Sequence, residues 1–232
     1  MSALYLIRHG QAGLRSNYDR LSDLGHEQTH LLGSYLALQE IPFANLYCGE
    51  LRRQKETAAN VVNALRTSVK LQSDARWNEF DLDHVYRKIA PQIAAIDAKF
   101  RDGYQEMLAA MDNPESTVHR GHSHLDAMVV HAWIANRFPY DGESFSDFTI
   151  RIQAALNSIK TSEGPTIVFT SATPTAIAIA TALDLPLERS LKLAGVTYNA
   201  SISTLRIQPQ EISLFSFNGI PHLSEPRLRT FR

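Results

Sequence analysis

LYLIRHGQAG, residues 4–13, sets four apolar residues, Leu4-Tyr5-Leu6-Ile7, directly before Arg8, His9 and Gly10. A short apolar run closed by glycine reads as a strand buried on both faces, the type found in parallel sheets. Arg8 and His9 then stand at the carboxyl end of that strand, where open α/β sheets place their ligands. Such a strand, ending on two side chains able to carry positive charge, leads us to expect an anion site at one edge of a sheet.

The segments downstream repeat the alternation of strand and helix. RLSDLGHEQTHLLGSYLALQ, 20–39, carries Leu31, Leu32, Tyr35, Leu36 and Leu38 at helical spacing with Ser22 as N-cap. ANLYCGE, 44–50, reads as a second strand, followed by a helix over 51–66 with Ala58, Val61, Val62 and Leu65 on one face. A shorter strand is expected around VKLQ, 69–72. From about Tyr86 to Arg137 the pattern is helical but charged and broken, at MDNPES and HRGHSH, and reads as a helical insertion. An amphipathic helix resumes through Phe148, Ile152, Ala155 and Ile159. A buried strand, Thr166 to Thr170, then leads into a helix with Pro174 in its first turn. SISTLRIQPQEISLFSFNG, 201–219, gives two alternating runs around a turn, an antiparallel hairpin at the sheet edge. The expected fold is one α/β domain over 1–232, a three-layer α/β/α sandwich with a mostly parallel sheet and a helical insertion.

Composition narrows the function classes. Lys plus Arg number 23 against 24 Asp plus Glu, a formal charge of -1. There is then no global drive toward nucleic acid or an anionic membrane, and any anion site must be local. The one cysteine, Cys48, permits no intramolecular disulfide. The opening MSALYLIRHG has no basic leader and its apolar run is short for a signal or a span, so a cytoplasmic location is the expectation.

Three strand ends coincide with polar residues: Arg8 and His9, then Arg52 and Arg53, then Thr170 and Ser171. In a parallel sheet these ends lie along one edge. Two guanidiniums aimed at one point favour a phosphate or carboxylate, with which the planar fork pairs bidentately. A histidine among them has three roles open to it: nucleophile, general acid or base, or hydrogen-bond donor.

LIRHGQ resembles the arginine-histidine-glycine signature of the histidine phosphatase superfamily. RLSDLGHEQ is similar to the family's leucine-Ser/Thr-x-x-glycine-x-x-glutamine helix start. LRRQKETA is similar to its leucine-x-arginine-x-x-x-threonine-alanine element, which selects Arg53 over Arg52. WNEFD resembles the Leu-Asn-Glu stretch whose glutamate maps to Glu79, and DGESFSDFTIRI resembles the Gly-Glu-Ser helix start with a later arginine. RHGQAG with NYDRLSDLG, and FNGIPHL near the end, look like a phosphoglycerate mutase-like branch. The resemblance implies a phosphomonoester hydrolase without metal or cofactor, in which His9 becomes a phosphohistidine and Glu79 moves the proton. It implies that Arg8 and Arg53 hold the phosphoryl group, that a backbone carbonyl near Gly10 orients the His9 ring, and that Gln11, Asn17 and Tyr18 line the pocket. The substrate would be a phosphorylated small molecule or a phosphopeptide.

One position departs from the family pattern. A second histidine is expected at the end of the strand before the last large helix, and here that position is Ser171, followed by Ala172. A hydroxyl donates one hydrogen bond but carries no charge. The amino terminus of the helix that follows would compensate, as would His222 folding back from the hairpin, although a histidine in a tail reads first as a surface residue. A competing reading is a phosphate-binding relative that has lost turnover; a phosphoglycerate mutase is the weaker alternative. His26 and His30 sit four apart but read as a solvated face, and His119, His122 and His124 as a polar loop. RLRTFR, 227–232, reads as a solvated tail, and the edge hairpin offers a surface for pairing in a homodimer.

Overall fold

A computed structural model describes residues 2–14, 18–113, 116, 124–208 and 210–231. Two compact units divide the chain, one made of Met1–Gly13, Tyr18–Glu79 and Arg151–Arg232 and the other chiefly of Phe80–Ile150. Among the described residues the elements run β1 (Ser2–Arg8), α1 (Asp23–Leu38), β2 (Asn45–Cys48), α2 (Arg52–Leu65), β3 (Leu71–Ser73), α3 (Leu82–Ile96), α4 (Ala98–Ala110) and α5 (His124–Ile134). They continue with α6 (Phe145–Lys160), β4 (Thr166–Thr170), α7 (Ala172–Ala182), α8 (Ser190–Ala194), β5 (Ile202–Ile207) and β6 (Ile212–Gly219).

The first unit holds one six-stranded sheet in the order β3-β2-β4-β1-β5-β6. The three pairs among β3, β2, β4 and β1 are parallel, while β5 pairs antiparallel with both β1 and β6. The expected edge hairpin is therefore present, and it adds to the β1 side of the sheet. Strand β4 is buried at all five positions, as a run of Thr-Ile-Val-Phe-Thr covered on both faces requires. On one face Ile7, Leu46, Cys48, Ile167, Phe169 and Ile202 pack with Leu32 and Leu36 of α1 and with Ala58 and Val61 of α2. On the other, α7 lies along β1, β5 and β6. These are the α/β/α layers that alternating hydrophobic strands and amphipathic helices build.

Two local devices bring the chain from β1 into α1. Ser22 caps α1 as expected, its hydroxyl accepting from Gly25 N at 3.0 Å. Gly10 and Gly25 allow the two segments to touch: a Cβ on Gly10 would lie 2.6 Å from Gly25 O, and one on Gly25 would lie 2.1 Å from Gln11 O. Both glycines are required by close approach of backbone to backbone.

In the second unit Asp81 caps α3 and Asp97 caps α4, each side chain accepting from a backbone N–H in the first turn. Phe80 stacks on Trp133 with ring centroids 4.5 Å apart, and the Tyr86 hydroxyl donates to the buried Asp126 carboxylate. The helical stretch opens at Leu82, four residues before the Tyr86 expected from the sequence. His119 and His122 lie outside the described residues, and His124 opens α5. No described helix is long and apolar enough to cross a membrane.

Candidate active site

The carboxyl ends of β1 and β4 are neighbours, with Arg8 opposite Thr170 in the register. From here β1 leads to α1 and β4 to α7, on opposite faces of the sheet, so the site occupies a topological switch point. The His9 backbone is fixed from both sides: its N–H donates to Thr170 O at 2.9 Å, and its carbonyl accepts from Ala200 N at 3.1 Å.

The His9 ring is buried and its tautomer is set by its surroundings. Nδ1 lies 2.8 Å from Gly10 O, a carbonyl that can only accept, so Nδ1 carries the proton. The opposite nitrogen, Nε2, accepts from Arg53 Nε at 3.3 Å and so presents its lone pair to the guanidinium side. Burial, and then the charges of Arg53 and Arg8, hold the imidazole well below the ordinary histidine range. The ring is neutral at pH 7 with Nε2 unprotonated, the state a nucleophilic histidine needs.

Arg8 and Arg53 are both buried beside this ring. Arg8 lies next to Tyr18, whose hydroxyl it engages, and within the field of Glu79 and Arg53; burial lowers its pKa while the Tyr18 and Glu79 interactions oppose the shift. Arg53, on the first turn of α2, donates from NH1 to Asp19 Oδ1 at 2.9 Å. Its Cζ sits 4.9 Å from the centroid of the Tyr18 ring, which meets His9 edge-on at 6.5 Å. Tyr18 and Asp19 thus engage all three cationic-capable groups. The expectation selecting Arg53 agrees with the geometry, since Arg52 turns outward to Glu56 at 2.7 Å.

Glu79 is delivered by a stretch that three elements hold in place. Arg151 of α6 donates from NH1 to Arg76 O and to Asn78 O, each at 2.8 Å. Trp77 O accepts from Gln54 Nε2 at 3.1 Å and from Thr170 Oγ1 at 2.6 Å. The Glu79 carboxylate then accepts from Thr173 N, in the first turn of α7, at 3.1 Å. A carboxylate at a helix N-terminus is favoured by the unpaired N–H groups and the macrodipole there.

Ser171 is the buried N-cap residue of α7, and Ala172 opens the helix. The Ser171 hydroxyl accepts from Gln54 Nε2 at 2.9 Å, which leaves its own proton to donate. Gln11 turns its side-chain oxygen to Ser22, accepting from the hydroxyl at 2.8 Å, and so braces the loop. Asn17 lies outside the described residues. His222 is not a surface histidine: it is 9% exposed, and its ring lies 6.0 Å from that of Tyr35 on α1. Neither of its nitrogens completes a hydrogen bond among the described residues, and burial pushes its pKa down to about 4 against a weaker pull from the Ala200 backbone. On the face expected to be solvated, His30 is exposed and His26 half-buried, with its Nδ1 3.1 Å from Asn60 Nδ2.

Asp19 and Gln54 are two site residues that sequence reasoning passed over. Gln54 stands beside Arg53 as an uncharged polar residue on the buried face of an amphipathic helix, a signal that was present. Asp19 carries no signal beyond its nearness to Tyr18.

Comparison with known proteins agrees with this geometry. The model of the histidine phosphatase superfamily (branch 1) matches residues 4–129 and 116–219. The serine/threonine-protein phosphatase Pgam5, mitochondrial, of Caenorhabditis briggsae is 29% identical over 111 residues, which cover 45% of this chain and 39% of that protein. The chain thus matches well under half the length of that curated relative. Among solved structures, Bacillus stearothermophilus YhfR superposes with a TM-score of 0.66 at 20% identity, covering 97% of this chain and 100% of that one. A putative alpha-ribazole-5'-P phosphatase from Escherichia coli gives 0.64 at 19% identity, covering 94% and 96%. With the family model spanning nearly the whole sheet and every strand end that forms the site, this chain belongs to the histidine phosphatase superfamily, branch 1.

Proposed function

We propose that the protein hydrolyses a phosphomonoester through a phosphohistidine at His9, without a metal ion. The observation that carries this reading is the state of His9: Nδ1–H is tied to Gly10 O, and a neutral, unprotonated Nε2 faces Arg53. In the first step the Nε2 lone pair forms the N–P bond as the ester P–O bond breaks, and Glu79, having taken up the proton that the phosphomonoester monoanion brings, passes it to the leaving oxygen. In the second, Glu79 takes a proton from water, the hydroxide oxygen bonds to phosphorus, and the N–P bond breaks to return the lone pair to Nε2. Phosphoryl transfer spreads negative charge over the equatorial oxygens, so catalysis falls mainly to charge stabilisation by Arg8 and Arg53.

Ser171 favours a second reading, a pocket that binds phosphate without turning substrate over, because a neutral hydroxyl stands where the family places a cation. The Thr173 amide at the same helix start is already taken by Glu79, which reduces what the helix terminus offers the phosphoryl group. Loss of one preorganised donor costs about 10² to 10³ in rate. That leaves a slow enzyme rather than an inert one. Hydrolysis of p-nitrophenyl phosphate by the wild type and by His9→Ala separates the two: turnover lost in the variant supports the enzyme, and equal background rates in both refute it.

A further inference from the structure

Over its described residues, 227–231, the expected solvated tail keeps exposed side chains at Arg227, Arg229 and Phe231 but buries Leu228 and is tied to the site through its backbone. Arg8 NH1 donates to Thr197 O and, at 3.1 Å, to Phe231 O, while Nε of the same guanidinium is buried with no partner among the described residues. A planar group held on two fixed carbonyls through one terminal nitrogen has its plane set, and the remaining donors are aimed by that plane. The Phe231 carbonyl is itself fixed. Its ring stacks on Tyr198 at a centroid distance of 4.0 Å, and Asn199 N donates to Thr230 O at 2.8 Å. The Thr230 hydroxyl donates to Asn199 Oδ1 and accepts from Gln28 Nε2, both at 2.9 Å.

Gln28 and Asn199 carry this bracing to both sides of the nucleophile. The fully buried Gln28 donates to Leu228 O at 2.7 Å and accepts from Gln11 N at 2.7 Å, joining the segment to the loop behind His9. Asn199 Nδ2 donates to His9 O at 3.4 Å. We propose that Leu228–Phe231 is a positioning segment of the active site, in which the Phe231 carbonyl sets the Arg8 guanidinium plane toward a bound phosphoryl group. The proposal rests on the phosphate-pocket reading of the site.

Phe231 is 43% exposed, so its ring can be removed without opening the core. The test is calorimetric binding of vanadate and inorganic phosphate to the wild type, Phe231→Ala, Phe231→Tyr and Thr230→Val, with thermal midpoints measured in parallel. A small misplacement of a clamp is expected to weaken vanadate, which mimics the transition state, about tenfold and phosphate only about threefold. Phe231→Ala shows this split at an unchanged midpoint, Thr230→Val shows it with a lowered midpoint because the buried Gln28 and Asn199 lose a partner, and Phe231→Tyr, which keeps the stack, restores wild-type affinity. Vanadate bound equally by the wild type and both weakening variants overturns the proposal, as does a loss that Phe231→Tyr fails to restore. Binding is read without turnover, so a wild type that binds phosphate but hydrolyses nothing counts against the proposed function alone.

Discussion

His9 shows how a single side chain is prepared by its neighbours. Gly10 O selects the tautomer, and burial beside Arg53 and Arg8 disfavours the imidazolium. A histidine with the ordinary pKa of about 6.5 is mostly protonated by pH 5.5. Burial and the two guanidiniums shift His9 below that value, so nitrogen NMR of the free protein is expected to show the Nδ1–H tautomer persisting to lower pH than in an exposed histidine. Arg53→Ala removes the second-largest cause of the shift and moves the titration upward toward the ordinary value. A wild-type ring that titrates near 6.5 would contradict this account. The meeting of Arg8, His9, Arg53 and Glu79 at one place was legible from their motif positions at the strand ends. Phe231 was not, because its contribution is a backbone carbonyl, and every residue has one. Only folding brings it to Arg8, 223 positions away in the chain.

At the level of elements, the strand ends and helix starts were the most readable features. Ser22, the apolar face of α2, the bounds of β4 and the edge hairpin follow from capping, periodicity and alternation. Sheet order was not legible, since a local pattern does not say that β4 inserts between β2 and β1. Nor was the anchoring of 227–231: its two arginines are exposed as expected, but Arg229 also bonds to the Leu223 and Ser224 carbonyls and Leu228 is buried. The joint between the loop after β1 and α1 makes a quantitative test. A methyl group on Gly25 would meet Gln11 O, a backbone atom that moves only if the segment 9–11 moves with it. Gly25→Ala is therefore expected to cost about 1–3 kcal/mol, the range for overpacking a tight interior. It also displaces the His9 ring. Urea unfolding and phosphate binding should fall together, and a variant as stable and as active as the wild type would show that the contact is soft.

For the molecule as a whole, the buried histidines His9 and His222 give stability a pH dependence that begins above the carboxylate range. His222 has its pKa lowered from 6.5 to about 4 by burial, and His9 is shifted in the same direction. The unfolded chain binds protons at these rings in a range where the folded chain does not. The stability they contribute is thus complete above pH 6.5 and is lost as pH falls from 6.5 toward the folded-state values. For His222 the loss reached by pH 4 is about 3 kcal/mol at about 1.4 kcal/mol per unit, a large part of a typical folding free energy. Asp141, held down to about 2 by Lys88 and His84, gives way only at lower pH. His222→Phe keeps an aromatic ring against Tyr35 and removes the titration. Measured by urea unfolding, the variant should gain about 2 kcal/mol on the wild type between pH 7 and pH 4.5. Parallel stability curves for the two proteins would mean that His222 takes up its proton without cost, through a partner or an opening that the folded chain does not show.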